Sequence, residues 1–124
     1  MSEIMEIGQK LVEHCRSGTE AEALATMYHA DVVSVEAAAM GEAPREMAGM
    51  EAIKGKHAWW SENFEVHDAK VEGPFPHGDD RFAVTFWLDT TNKMSGERSQ
   101  MSEVAVYHVK EGKIAREEFF YPTG

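Results

Sequence analysis

The stretch Arg81-Phe82-Ala83-Val84-Thr85-Phe86-Trp87-Leu88 puts Phe82, Val84, Phe86 and Leu88 on one phase of a two-residue repeat, the spacing of a strand whose two faces differ. Similar runs follow at residues 100–109 and 113–121. Asn92 to Glu97 turns the first run back, and Glu111-Gly112 joins the second to the third as a tight hairpin. Upstream, residues 65–72 carry the same period and end in the breakers Gly73-Pro74-Phe75-Pro76-His77-Gly78. The C-terminal half therefore reads as a four-stranded antiparallel meander.

The N-terminal half changes to helical spacing. Ile4, Ile7, Leu11 and Cys15 form one stripe from about Ser2 to Ser17, ended by Gly18. Thr19-Glu20-Ala21-Glu22 has the form of a capping box opening a second helix, with Ala21, Leu24, Ala25 and Tyr28 as its buried face. A short strand, Val32 to Glu36, precedes a long connection from Ala37 to Gly49. A third helix spans about Met50 to Asn63, with Ile53, His57 and Trp60 on one stripe. Helices segregated onto one face of an antiparallel sheet make an α+β roll. The expectation is one domain over residues 1–124: a cone-shaped α+β roll, its curved antiparallel sheet wrapped around three N-terminal helices and leaving an apolar pocket at one end.

Composition narrows the function classes. A formal net charge of −10, with no basic patch for phosphates, argues against nucleic acid and an anionic membrane surface as partners. The opening Met1-Ser2-Glu3-Ile4-Met5-Glu6 is acidic, unlike a secretory leader, and no apolar run has the length of a membrane span, so a cytoplasmic location is expected. The single Cys15 forms no internal disulfide and reads as a small apolar residue. Six histidines are scattered without metal-ligand spacing, and no phosphate-cradling loop or dinucleotide fingerprint occurs, so neither metal nor cofactor is expected.

Three segments carry a resemblance: residues 28–36 (Tyr28-His29-Ala30-Asp31-Val32-Val33-Ser34-Val35-Glu36), residues 49–55 (Gly49-Met50-Glu51-Ala52-Ile53-Lys54-Gly55), and the hairpin Glu111-Gly112-Lys113-Ile114 followed by Glu117-Glu118-Phe119-Phe120-Tyr121. Together they resemble SnoaL-like proteins of the nuclear transport factor 2-like superfamily, relatives of polyketide cyclases and ketosteroid isomerase. The resemblance implies the fold strongly and function weakly, because this fold hosts many chemistries. Carried over position by position, the isomerase's general base falls on Glu36. Its oxyanion-hole tyrosine falls on Leu11 and its protonated aspartate on Val104, so both oxyanion donors are absent and steroid isomerisation by that route is disfavoured.

Four residues are candidates for chemistry. Glu36 ends the first strand on the side the resemblance assigns to the cavity, where desolvation suits a proton abstractor; the plainer alternative is a rim carboxylate held by Arg45 or Lys56. His57 sits where the isomerase has a pocket tyrosine and is either a proton relay or a hydrogen-bonded core histidine. His108 and Glu117 are assigned to inward phases of adjacent strands, as an acid–base couple or a cross-strand polar pair. The expected cavity lining is Leu11, Trp60, Phe86, Val104 and Phe119, with Met40, Met47 and Met50 as an adaptable lid or as gap-fillers.

Two functions stand side by side at this stage. One is a cofactor-independent isomerase, cyclase or lyase moving protons on an apolar carbonyl compound. The other is a non-catalytic module binding a small apolar ligand. Trp87, Tyr107 and Phe120, placed on the outer phases of neighbouring strands, would leave a large apolar patch, so a homodimer through the outer sheet face is expected.

Overall fold

A computed structural model describes residues 2–39 and 42–123. Three helices, α1 (Glu3–Ser17), α2 (Glu20–Met27) and α3 (Met50–Asn63), pack on the concave face of a curved, unclosed sheet. Its strands are β1 (Tyr28–Val35), β2 (Glu46–Ala48), β3 (Phe64–His77), β4 (Arg81–Asn92), β5 (Arg98–Lys110) and β6 (Lys113–Phe120), in the order β2-β1-β6-β5-β4-β3. The α+β roll expected from the sequence is the observed fold. The sheet is mixed, because β1 runs parallel to β6 while every other neighbouring pair is antiparallel. The parallel pair brings the first strand beside the last, which no local pattern announces.

The core lies between the helices and the inner face of the sheet, where Leu11, Leu24, Val32, Ile53, Phe82, Val84, Ala105, Tyr107 and Ile114 are buried. Helix α1 docks closely on β3 and β4. Gly8 faces Pro74, and a Cβ built at Gly8 would stand 2.6 Å from the Pro74 Cβ. Helix α2 buries Ala23, Leu24 and Met27 and exposes the expected Ala21 and Ala25. The capping box does not form. The Thr19 hydroxyl turns back to α1, donating to the His14 carbonyl at 3.3 Å and lying 2.8 Å from the His14 ring. Strand β3 runs through the expected breakers to His77, with a register shift between Glu72 and Phe75, so the β3–β4 turn is confined to residues 78–80.

One irregularity decides which residues face inward. The Glu111-Gly112 turn, with φ of 55° and 76°, starts a hairpin in which Lys110 pairs Lys113 and Val109 pairs Ile114. A bulge follows, and beyond it His108 pairs Arg116 and Tyr107 pairs Glu117. The inserted residue shifts the pairing by one, and a one-residue slip exchanges the faces of a strand relative to its partner. Tyr107, in register with Phe82 and stacked on its ring at 5.2 Å, therefore points into the core. The expectation that Val104 and His108 face inward is reversed, and Tyr107 leaves the outer apolar set.

Candidate active site

Beyond the core, at the end of β1, charged residues gather around one cation. Lys56 lies one helical turn beyond the buried Ile53 on α3, so the stripe that seats the helix also points this lysine at the sheet. Its side chain is 8% exposed. The ammonium donates to the Ser34 hydroxyl and to Glu36 Oε2 at 3.2 Å, and stands 3.9 Å from Glu117 Oε2. It also lies 4.8 Å from the centre of the Phe119 ring, a cation–π contact. Alternation along β1 places Ser34 and Glu36 on this side, and the parallel register sets Ser34 beside Glu117.

Glu117 is the deepest charged group, 1% exposed, and both its oxygens are engaged. The Tyr28 hydroxyl donates to Oε1 at 2.6 Å and the Ser34 hydroxyl to Oε2 at 2.8 Å. Burial, reinforced by the charge of Glu117, holds the Tyr28 phenol well above the ordinary range, so Tyr28 stays a donor. Glu36 is more peripheral, its side chain 14% exposed, with Tyr121 donating to Oε1 at 3.3 Å. Its carboxylate is held by Lys56. Arg45 meets the Glu36 backbone instead, donating from Nε to the carbonyl at 3.1 Å.

Glu103 completes the group. It points inward from β5, in register with Phe86 on β4, and its carboxyl has no hydrogen-bond partner among the described residues. Its pKa is pushed up to about 7, first by burial and then by the neighbouring Glu36 carboxylate; Lys56 pulls it back and Glu117 adds to the rise. Lys56 thus makes short contacts to Glu36 and Glu117, while Glu103 has no hydrogen bond to it and its carboxyl is raised chiefly by burial. The arrangement offers a carboxylic acid poised to give or take a proton, a fixed ammonium, and the half-buried rings of Phe86 and Phe119.

The sequence-derived candidates divide accordingly. Glu36 and Glu117 come together, joined through Lys56 and Ser34. His57 is half-buried on α3, without a side-chain hydrogen bond among the described residues. His108 stands on the other face of the sheet from Glu117, in register with Arg81 and Arg116. Burial first, then those two arginines, keep its pKa below the usual histidine value. The expected His108–Glu117 couple is therefore not made, because of the β5–β6 bulge. Of the expected lining, Phe86 and Phe119 border the cluster, Trp60 stacks on Phe64 at 5.2 Å, Leu11 is core, and Val104 is on the outer face. Met40 lies outside the described residues; Met50 packs partly against the core. Tyr28, Ser34, Glu103 and Tyr121 were not singled out from sequence as chemical groups; only the alternation along β1, which aligns Ser34 with Glu36, could have indicated one of them.

Two depressions open on the surface, one of them reached by Glu103. One, of about 200 Å³, is bordered by Glu6, Lys10, Met27 and Lys113. The other, of about 290 Å³, crosses the outer sheet face between Lys70, Thr85, Trp87, Val104 and Phe120, with Phe86 and Glu103 at its edge. Neither is lined by Lys56, Glu36 or Glu117.

Comparison with known proteins agrees with this architecture. The SnoaL-like domain family matches residues 3–121. A candidate SnoaL-like polyketide cyclase from Mesorhizobium loti is 42% identical; the match covers 94% of this chain and 97% of that one, with a TM-score of 0.86. A candidate polyketide cyclase from Pseudomonas putida shares the fold at 17% identity and a TM-score of 0.70, over 98% of this chain and 92% of that one. A Catenulispora acidiphila protein with a ketosteroid isomerase-like fold, in complex with trimethylamine, shares it at 22% identity and a TM-score of 0.67, over 87% and 79% of the two chains. No protein of curated function matches significantly.

Proposed function

The chain belongs to the SnoaL-like family, and within that family we propose that it is a cofactor-independent catalyst of proton transfer, a cyclase, isomerase or lyase acting on an apolar carbonyl compound. The observation that carries this reading is the placement of Glu103: an inward carboxyl in register with Phe86, without a hydrogen-bond partner among the described residues, in a site that also holds an ammonium and the Phe119 ring, and with its pKa pushed up to about 7 by burial. A general acid–base works best when its pKa lies near the operating pH. Glu103 is assigned proton transfer. Lys56 is assigned stabilisation of negative charge developing on the carbonyl oxygen, a task for a donor fixed before the reaction begins. Glu36 and Tyr121 are assigned orientation of Lys56 and of the outer end of the site. Leu11 offers no donor and Val104 points to the outer face, so the role of oxyanion donor is assigned to a lysine from α3.

Enolisation can be measured without the natural substrate. β-Tetralone, an apolar ketone with acidic α-protons, exchanges them for deuterium in heavy water as it enolises. The protein is expected to accelerate this exchange, by a factor that Glu103→Gln reduces about 100-fold or more, the usual contribution of a general acid–base. Exchange at the uncatalysed rate for this ketone and a panel of apolar ketones would contradict the catalytic reading.

A second reading is a non-catalytic pocket for a small ligand. It is favoured by the engagement of both Glu36 oxygens, which leaves that residue poorly placed to abstract a proton, and by the small amine bound in the Catenulispora protein. Saturable binding of ketones without exchange would support it. In either case the outer sheet face, where Val104 is 38% and Phe120 50% exposed, is proposed to join two copies of the chain.

A further inference from the structure

We propose that Glu117, anchored by Tyr28 and Ser34, is a positioning anion that fixes Lys56, rather than a group that exchanges protons with a ligand. The inference rests on the reading of Lys56 as the group that meets developing negative charge. It starts from proton directions. A serine hydroxyl has one proton to donate. Ser34 gives it to Glu117 Oε2 at 2.8 Å, so the Ser34 lone pairs are left to receive the Lys56 ammonium. Tyr28 gives its only proton to the other oxygen at 2.6 Å. The order is therefore Lys56 to Ser34 to Glu117, closed from behind by Tyr28, and every link points toward the carboxylate.

Access points the same way. Glu117 is 1% exposed, and a ligand would have to displace Tyr28 or Ser34 to reach either oxygen. Both of those donors are on β1, which is locked to β6 by the parallel ladder. A lysine has a long, rotamer-rich stem, and holding its ammonium in one place requires acceptors on more than one side. Glu36 supplies one acceptor near the surface, at 3.2 Å. Ser34, itself held by the buried anion, supplies the inner one. The carboxylate at 3.9 Å supplies charge without making a direct hydrogen bond to Lys56.

The test follows Lys56 itself. A short pulse of acetic anhydride, read by peptide mass spectrometry, reports how often each amine is free to react, with the exposed Lys54 as internal reference. Lys56 is expected to be strongly protected in the unaltered protein. In Ser34→Ala its acylation relative to Lys54 should rise roughly tenfold, the factor that a hydrogen bond to an ionised group is worth. Ser34→Thr, which keeps the hydroxyl, should restore protection. Glu117→Gln should raise reactivity too, because its amide would present a second donor to Ser34 or turn Tyr28 away. Amide hydrogen exchange in β1 and β6 of Ser34→Ala should remain as in the unaltered protein, separating release of Lys56 from general loosening. Lys56 equally protected in Ser34→Ala, or Ser34→Thr as reactive as Ser34→Ala, would overturn the proposal. If Glu117→Gln fails to fold, the two Ser34 variants still decide. No substrate enters this experiment, so its failure is distinct from failure of the catalytic reading.

Discussion

Replacing Lys56 with methionine keeps most of the stem over Phe119 and removes only the charge and its donors. The ammonium lies within 4 Å of both Glu36 and Glu117, and all three side chains are largely shielded from water. Breaking a buried ion pair on one side destabilises a protein by about 3 to 5 kcal/mol, because the remaining charge is left uncompensated. Glu36 retains some solvent and Tyr121, so the lower figure is expected here, roughly 3 kcal/mol against a total stability of about 5 to 15 kcal/mol. The loss should depend on pH with a definite sign. Lys56 is the group that pulls the Glu103 pKa down, and without it that pKa should rise above about 7. Carboxyls whose folded pKa exceeds the unfolded value bind more protons when folded, so stability falls as pH rises between the two values. The deficit of Lys56→Met should therefore be largest at about pH 8 and shrink toward about pH 5 as Glu103 takes up its proton. Urea unfolding followed by tryptophan fluorescence at both pH values measures it. A variant as stable as the parent at the higher pH, or a deficit that does not change with pH, would refute the reasoning that Lys56 neutralises this cluster.

Three further outcomes are expected. Glu103→Gln should stabilise the fold above neutrality by up to about 3 kcal/mol, because a carboxyl raised from 4.5 to about 7 withdraws stability across that interval; the gain should vanish below about pH 4.5, and chemical denaturation at both ends checks it. Gly8→Ala should destabilise by about 1 to 2 kcal/mol despite alanine's better helix propensity, because its Cβ would overlap Pro74, as thermal melting would show. Phe120→Glu should convert a dimer to a monomer in light scattering at micromolar concentration, with the melting curve of the monomer intact.

The limits of sequence reading have particular causes. The helices, the meander and the hairpin at Glu111-Gly112 were legible because each has a local period or turn residue. The site was only half legible. Glu36 followed from alternation along β1 and from the family resemblance, and Lys56 was visible as a neighbour of Ile53's stripe but weighed only as a counter-ion. Glu103 carries no local mark of an inward residue, because a charged side chain on a strand has the look of an outer one and only its pairing with Phe86 shows otherwise. The bulge leaves Ala115 of β6 unpaired and sets Glu117 opposite Tyr107 instead of on the side of His108, while the unbroken register of β5 with β4 places Tyr107 and Glu103 beside the inward Phe82 and Phe86. A bulge inserts one residue without a compositional mark, and the register between two strands is likewise not written in either strand alone. Tyr28 and Ser34 reach Glu117 through the parallel pairing of the first and last strands, a contact 89 and 83 residues distant in sequence that no spacing rule encodes.

The state of the Glu103 proton is the most direct test of the account. Carbon-13 NMR of the side-chain carboxyl, titrated from about pH 4 to about pH 9 and assigned with Glu103→Gln, reads it without substrate. A midpoint of about 7 is expected, falling in Glu36→Gln, where a neighbouring negative charge is removed. A midpoint in the ordinary carboxylate range, unmoved by Glu36→Gln, would contradict it and remove Glu103 as the acid–base of the site.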